Sequence, residues 1–350
     1  MRGNTLKNKR FQTFFIAIVA PLLGISLLAG CSSSSDESGD GSDVTELTIY
    51  SGRSETFIAP FFAEFEAETG IKVNVRYGDS AELAAQILEE GENSPADLFL
   101  SQDAGALGAV AEAGLFADLD GSIISSVPSQ YASADSKWVG VTGRARVFAY
   151  HPDRVTQLPT SYRDMTDPIY KNRFGIAPTN SSFQAFVTAL RLANGDAATE
   201  KWLRDLIANG AKYYEKNAMI VEAIENGEID LGLVNHYYVF EVAKALGREI
   251  AVKDGFFADG DLGNMINVSG AGILASSVKQ GAATDLIAYL LRSSTQEKFV
   301  ADTKEYALLE GLPGPTGLPA LSEIAAPSVD LNALRDLKAT QDLLIKAGLL

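Results

Sequence analysis

From Leu47 onward, apolar residues alternate with polar ones over short runs, then return every three or four positions over longer ones, the signature of strands interleaved with amphipathic helices. Leu47-Thr48-Ile49-Tyr50 reads as a strand. Ser54 is placed to cap a helix on which Phe57, Phe61 and Phe65 share a face, and Gly70 stops it. Ile71, Val73 and Val75 alternate as a second strand, Leu83, Ala84, Ile87 and Leu88 form a second helical face, and Ala96-Asp97-Leu98-Phe99-Leu100 reads as a short buried strand before a helix over 103–113. This βαβαβα order predicts a mostly parallel sheet covered by helices.

A second series follows Trp138. Residues 143–150 alternate as a strand, Ser181-Ser182 precede a helix over 183–193, and a helix around 219–224 is closed by Gly227. The strand 229–234 runs into Asn235-His236-Tyr237-Tyr238. The glycine-rich strand segment 266–274 can return the chain to the first lobe, and helices follow around 285–291, 297–302 and 331–346. The expected fold class is α/β, with two lobes joined by hinge-connecting strands around an interlobe cleft, the usual place for a small ligand. The lobes are expected at 44–142 with 268–312, and at 143–267 with 313–350.

The first 43 residues break this pattern. Arg2, Lys7, Lys9 and Arg10 precede an apolar run over 11–28, as in an export signal. The run ends in Leu28-Ala29-Gly30-Cys31, which resembles the bacterial lipobox, in which the cysteine is lipidated and becomes the first residue of the mature chain. Residues 1–30 are therefore expected to be a lipoprotein signal peptide, Cys31 the lipidation site, and the serine- and acid-rich 31–43 a flexible tether. The protein is expected outside the cytoplasm, lipid-anchored to the cell membrane.

Composition narrows the chemistry. The 350 residues carry a formal charge of −16, and losing the four cations of 1–30 takes it to −20, a field that repels nucleic acid. A single cysteine excludes a disulfide framework and multi-thiolate metal sites. No nucleophile elbow, phosphate-binding loop or His-Glu-x-x-His motif occurs, so no enzyme is expected. The informative cluster is Asn235-His236-Tyr237-Tyr238, which leaves the carboxyl end of a strand, where open α/β sheets bind ligands.

With that cluster, Leu47-Thr48-Ile49-Tyr50-Ser51-Gly52-Arg53, Thr69-Gly70-Ile71-Lys72-Val73, Gly91-Glu92-Asn93-Ser94-Pro95-Ala96-Asp97, Gly143-Arg144-Ala145-Arg146-Val147, Tyr214-Glu215-Lys216-Asn217, Glu225-Asn226-Gly227-Glu228 and Ser269-Gly270-Ala271 occur in one order. Together they resemble the bacterial ferric-iron-binding proteins of ABC transporters, solute-binding proteins related to transferrin in architecture. The similarity covers most of 45–350. It implies a periplasmic-binding-protein fold, Fe³⁺ held by Tyr237 and Tyr238 as phenolates, an ABC permease as partner, and action as a monomer. The chemistry agrees, because a hard, highly charged cation prefers anionic oxygen.

The departures from the family matter equally. Ser54 stands where many relatives have histidine, and Ala81 where some have glutamate, leaving Glu82 and Asp79 as displaced candidates. Two phenolates cannot fill six positions on Fe³⁺. A synergistic anion, carbonate or phosphate, or an iron chelate would complete the shell. Relatives hold an anion at positions matching Ser181, Ser182, Asn217 and Asn235, and others use arginine, for which Arg53, Arg144 and Arg146 are candidates. The rival expectation is the same fold binding an organic anion such as a phosphonate.

Overall fold

A computed structural model describes residues 44–350; the expected signal peptide, Cys31 and the tether lie outside the described residues. The first stretch runs β1 (Glu46–Ser51), α1 (Glu55–Thr69), β2 (Lys72–Tyr77), α2 (Ser80–Glu90), β3 (Leu98–Ser101), α3 (Ala104–Glu112), α4 (Gly121–Ile124) and β4 (Val139–Tyr150). It continues through β5 (Phe174–Ile176), α5 (Ser181–Asn194), α6 (Asp196–Ala208), β6 (Lys212–Tyr213), α7 (Asn217–Glu225), β7 (Leu231–Asn235), α8 (Tyr237–Leu246) and β8 (Lys253–Gly255). Last come β9 (Ile266–Ile273), α9 (Gln280–Leu290), α10 (Ser293–Thr303), β10 (Tyr306–Ala307) and α11 (Leu337–Ala347). No helix among the described residues is long and apolar enough to cross a membrane.

The strands order as β2-β1-β3-β9-β4-β7-β5-β6, with β8 and β10 also pairing with β4. β1 pairs parallel with both β2 and β3, as the alternation predicts, and β9 adds antiparallel to β3. β4 holds the sheet together. Its first half, from Val139 to Ala145, pairs with β9, and its second half, from Arg146 to Tyr150, pairs with β7. One strand thus passes from one half of the sheet into the other, and every residue of it except Tyr150 is buried. The pairing with β9 slips by one residue between Gly140 and Thr142, leaving Val141 as a bulge.

Phe61 and Phe65 of α1 pack inward as the spacing predicts, with the Phe61 ring stacked on Phe299 of α10 at 3.9 Å. In the second half, Phe183 and Phe186 of α5 join Trp202 of α6, Leu231 and Leu233 of β7, and Leu343 and Leu344 of α11 in a core of their own. Three sequence expectations shift. Ser54 stands at the N-cap of α1 but makes no side-chain capping bond. Ser181 and Ser182 do not precede α5; they open it, because Asn180 takes the cap and accepts from the Ser182 amide. The last helix is broken: Leu331–Arg335 is a separate 3₁₀ turn packed beside α3, and Asp336 caps α11.

Candidate metal centre

β7 ends at Asn235, and the chain turns through His236 into α8, so Tyr237 and Tyr238 form the first turn of a helix. The position suits phenolates, because the free N–H groups and dipole of a helix N-terminus favour negative charge. The two rings lie 4.4 Å apart and 32° from parallel. Both line a cleft of about 1200 Å³ walled by the β1–α1 loop, the β2–α2 loop, α8 and the end of α10. Gln102, after β3, donates to the Tyr237 hydroxyl at 3.5 Å. Burial pushes the Tyr238 hydroxyl well above the usual phenol range, and Tyr237 beside it adds to the shift, while Asn217 draws it down.

Behind the tyrosines lies Arg146, 1 % exposed. Its Nη1 donates to the Ser182 hydroxyl at 3.2 Å and its Nη2 to the Leu233 carbonyl at 3.3 Å, with the guanidinium over the rings of Phe183 and Phe186. Burial lowers its pKa to about 9, and the two tyrosines oppose the shift, which places a cation behind the phenolic pair. The Asn217 side-chain amide donates to the Ser182 hydroxyl at 3.0 Å and to Asn180 Oδ1 at 3.1 Å. Ser182 in turn donates to Asn180 Oδ1 at 2.6 Å. Ser182, Asn217, Arg146 and Asn180 therefore form one polar cluster at the head of α5, with Asn180 reaching the cleft surface. Asn235 sits opposite Arg146 in the β4–β7 ladder, and Ser181 is the first residue of α5.

The remaining candidates stand outside this polar cluster. Arg53 lines the cleft, but its guanidinium is engaged by Glu305 through two bonds of 2.8 and 3.0 Å, and Thr142 donates to the same carboxylate at 2.6 Å. Arg144 is buried beside Asp103 without lining the cleft, and its Nε and Nη2 have no partner. Asp79 lines the cleft while its carboxylate caps α2, accepting from the Ala81 amide at 2.8 Å. Glu82 is exposed on α2, outside the cleft lining. Gly52 lets the β1–α1 loop approach α2 closely, since a Cβ there would stand 1.9 Å from the Ser80 hydroxyl.

Sequence reading missed three members of this site. Asn180, the hub of the polar cluster, was hidden by the expectation that serine would be the cap. Glu305, 252 residues from Arg53, carries no local signal. Glu241 lines the cleft one helical turn from the tyrosines and was lost among the 45 acids of the chain. No group of three or more His, Cys, Asp or Glu side chains among the described residues is arranged to hold a metal.

Residues 50–297 match the family model described as "Bacterial extracellular solute-binding protein". The chain is 34 % identical over 308 residues, 87 % of its length and 90 % of the relative's, to the Fe(3+)-binding periplasmic protein of Serratia marcescens. It is 32 % identical over 311 residues to the major ferric iron-binding protein of Neisseria meningitidis, covering 87 % of this chain and 94 % of that one. Among solved structures, iron-bound HitA from Pseudomonas aeruginosa superposes with a TM-score of 0.82 at 32 % identity, over 87 % of this chain and 99 % of that one. A Trichodesmium protein (IdiA, FutA) in complex with iron and citrate ligands gives 0.75 at 25 % identity, over 87 % and 100 %. The architecture is that of the two-lobe periplasmic binding proteins, the relatives are binding proteins and not enzymes, and this chain belongs to the bacterial extracellular solute-binding protein family.

Proposed function

We propose that this chain is a lipid-anchored extracytoplasmic protein that captures ferric iron through Tyr237 and Tyr238 and delivers it to an ABC permease. The observation that carries this reading is the pair of cleft-facing tyrosines in the first turn of α8, their rings 4.4 Å apart. Relatives named as ferric-iron-binding proteins at 32–34 % identity support it. Fe³⁺ replaces the phenolic protons and repays the cost of ionising buried hydroxyls, because a bound metal strongly favours the deprotonated ligand. A carbonate or phosphate joins the shell from the head of α5, where Asn180, Ser182, Asn217 and Arg146 offer an amide, a hydroxyl and a cation.

Cargo holds the lobe of 44–142 and 268–312 against that of 143–267 and 313–350, and the permease reads the closed form of the monomer. Cys31 carries the lipid. Adding ferric citrate in bicarbonate buffer is expected to give a visible phenolate-to-iron charge-transfer band. Tyr237→Phe and Tyr238→Phe should each weaken that band and cost more affinity than the about 10- to 100-fold typical of losing an outer-shell partner. A colourless protein that gains no thermal stability from iron would show this reading to be wrong.

A further inference from the structure

We infer that Glu241 supplies a third anionic oxygen to the ferric ion, on the same face of α8 as the tyrosines; the inference rests on the ferric reading above. Glu241 follows Tyr238 by three residues and Tyr237 by four. At 3.6 residues per turn these positions stack on one helix face, and helical side chains lean towards the N-terminus, so a glutamate there reaches back over the turn that holds the phenols. The side chain lines the same cleft as both tyrosines.

The other acids near the site are less suited. Asp79 is committed to capping α2, and Glu82 is exposed outside the cleft lining. Asp302 lines the cleft from the end of α10, on a different element from the tyrosines. Glu241 takes part in no side-chain hydrogen bond that bears on its ionisation. Its carboxyl is pushed up by loss of solvent and drawn back by the nearby charges of Arg53 and Lys216, which favour the ionised form that a metal requires.

Donor count supports the assignment. Two phenolates and one bidentate anion fill four of six positions on a ferric ion, and a carboxylate is a further donor of the hard, anionic oxygen type that this cation prefers. It also serves where Ser54 and Ala81 stand in this chain, since neither can supply an anionic donor.

The test is the full chain and its Glu241→Gln variant, each loaded with ferric citrate in bicarbonate buffer. Position 241 is open to the cleft, and glutamine keeps the size and helix preference of glutamate, so the variant should fold. A lost carboxylate donor leaves a more electron-poor iron. The charge-transfer band of the variant is therefore expected at longer wavelength than that of the wild type, with a changed high-spin ferric electron paramagnetic resonance line shape and affinity lower by about tenfold or more. A charge that merely sits nearby would change affinity and leave the donor set intact. A variant with the wild-type band position and line shape overturns the assignment, whatever its affinity. A wild-type chain that never develops a band overturns the ferric reading itself, and the Glu241 assignment with it.

Discussion

His236 sits beneath the tyrosine pair with both ring nitrogens committed. Nδ1 accepts from the Ala145 amide at 3.2 Å, and Nε2 donates to the Lys304 carbonyl at 2.7 Å, so the ring is neutral and carries its proton on Nε2. Burial drives its pKa down to about 4, the carbonyl contacts opposing the shift only in part. Between pH 6.5 and about 4 the unfolded chain takes up a proton that the folded chain refuses. Stability is therefore whole above pH 6.5 and falls through that window, by about 3 kcal/mol for this one group. Denaturant midpoints of the iron-free protein at pH 7 and 4.5 should differ accordingly, and His236→Gln, which retains a donor towards Lys304, should narrow the difference. At this scale the sequence was legible for where Tyr237 and Tyr238 stand, because they belong to a local motif at a strand end, and both line the cleft. It named Arg53 as an anion ligand and was silent on Glu305, which takes both of its bonds from the far end of the chain, because nothing near Arg53 records that partner.

Among the elements, those with strong apolar periodicity were legible to within a few residues. α1 and its inward phenylalanines, α5, and the β1 and β2 strands all lie where spacing put them. The errors fall where a terminus depends on one polar side chain. Serine and asparagine are comparable helix caps, so the order Asn180-Ser181-Ser182 does not reveal by itself which residue accepts. The choice has consequences, because Asn180 Oδ1 receives bonds from the Ser182 amide, the Ser182 hydroxyl and Asn217 together. Asn180→Ala should lower the unfolding free energy by about 1 kcal/mol, as loss of a cap does. It should also reduce the dependence of iron affinity on added bicarbonate, since Ser182 and Asn217 lose the atom that aligns them. Titrations with and without bicarbonate measure this; an unchanged dependence would place the anion elsewhere.

In the whole molecule, the two sheet halves share β4, and the Arg53–Glu305 pair ties the β1–α1 loop to the segment after α10, beside Thr142 of that same strand. A cargo that binds only the folded chain must stabilise all of it. At a free ferric concentration 100 times Kd, the unfolding free energy should rise by about 2.7 kcal/mol, read as a shift in denaturant midpoint that the Tyr237→Phe variant loses at the same concentration. The slipped register at Val141 has a further, mechanical meaning. Gln296 is fully buried; its amide donates to the Val141 and Leu290 carbonyls at 2.8 Å each, and its oxygen accepts from the Leu308 amide at 3.0 Å. A ribbon notched at one point flexes there first, and here the notch is held by one glutamine. One buried amide group thus braces the slipped register, joining β4 to the end of α9 and to the residue after β10.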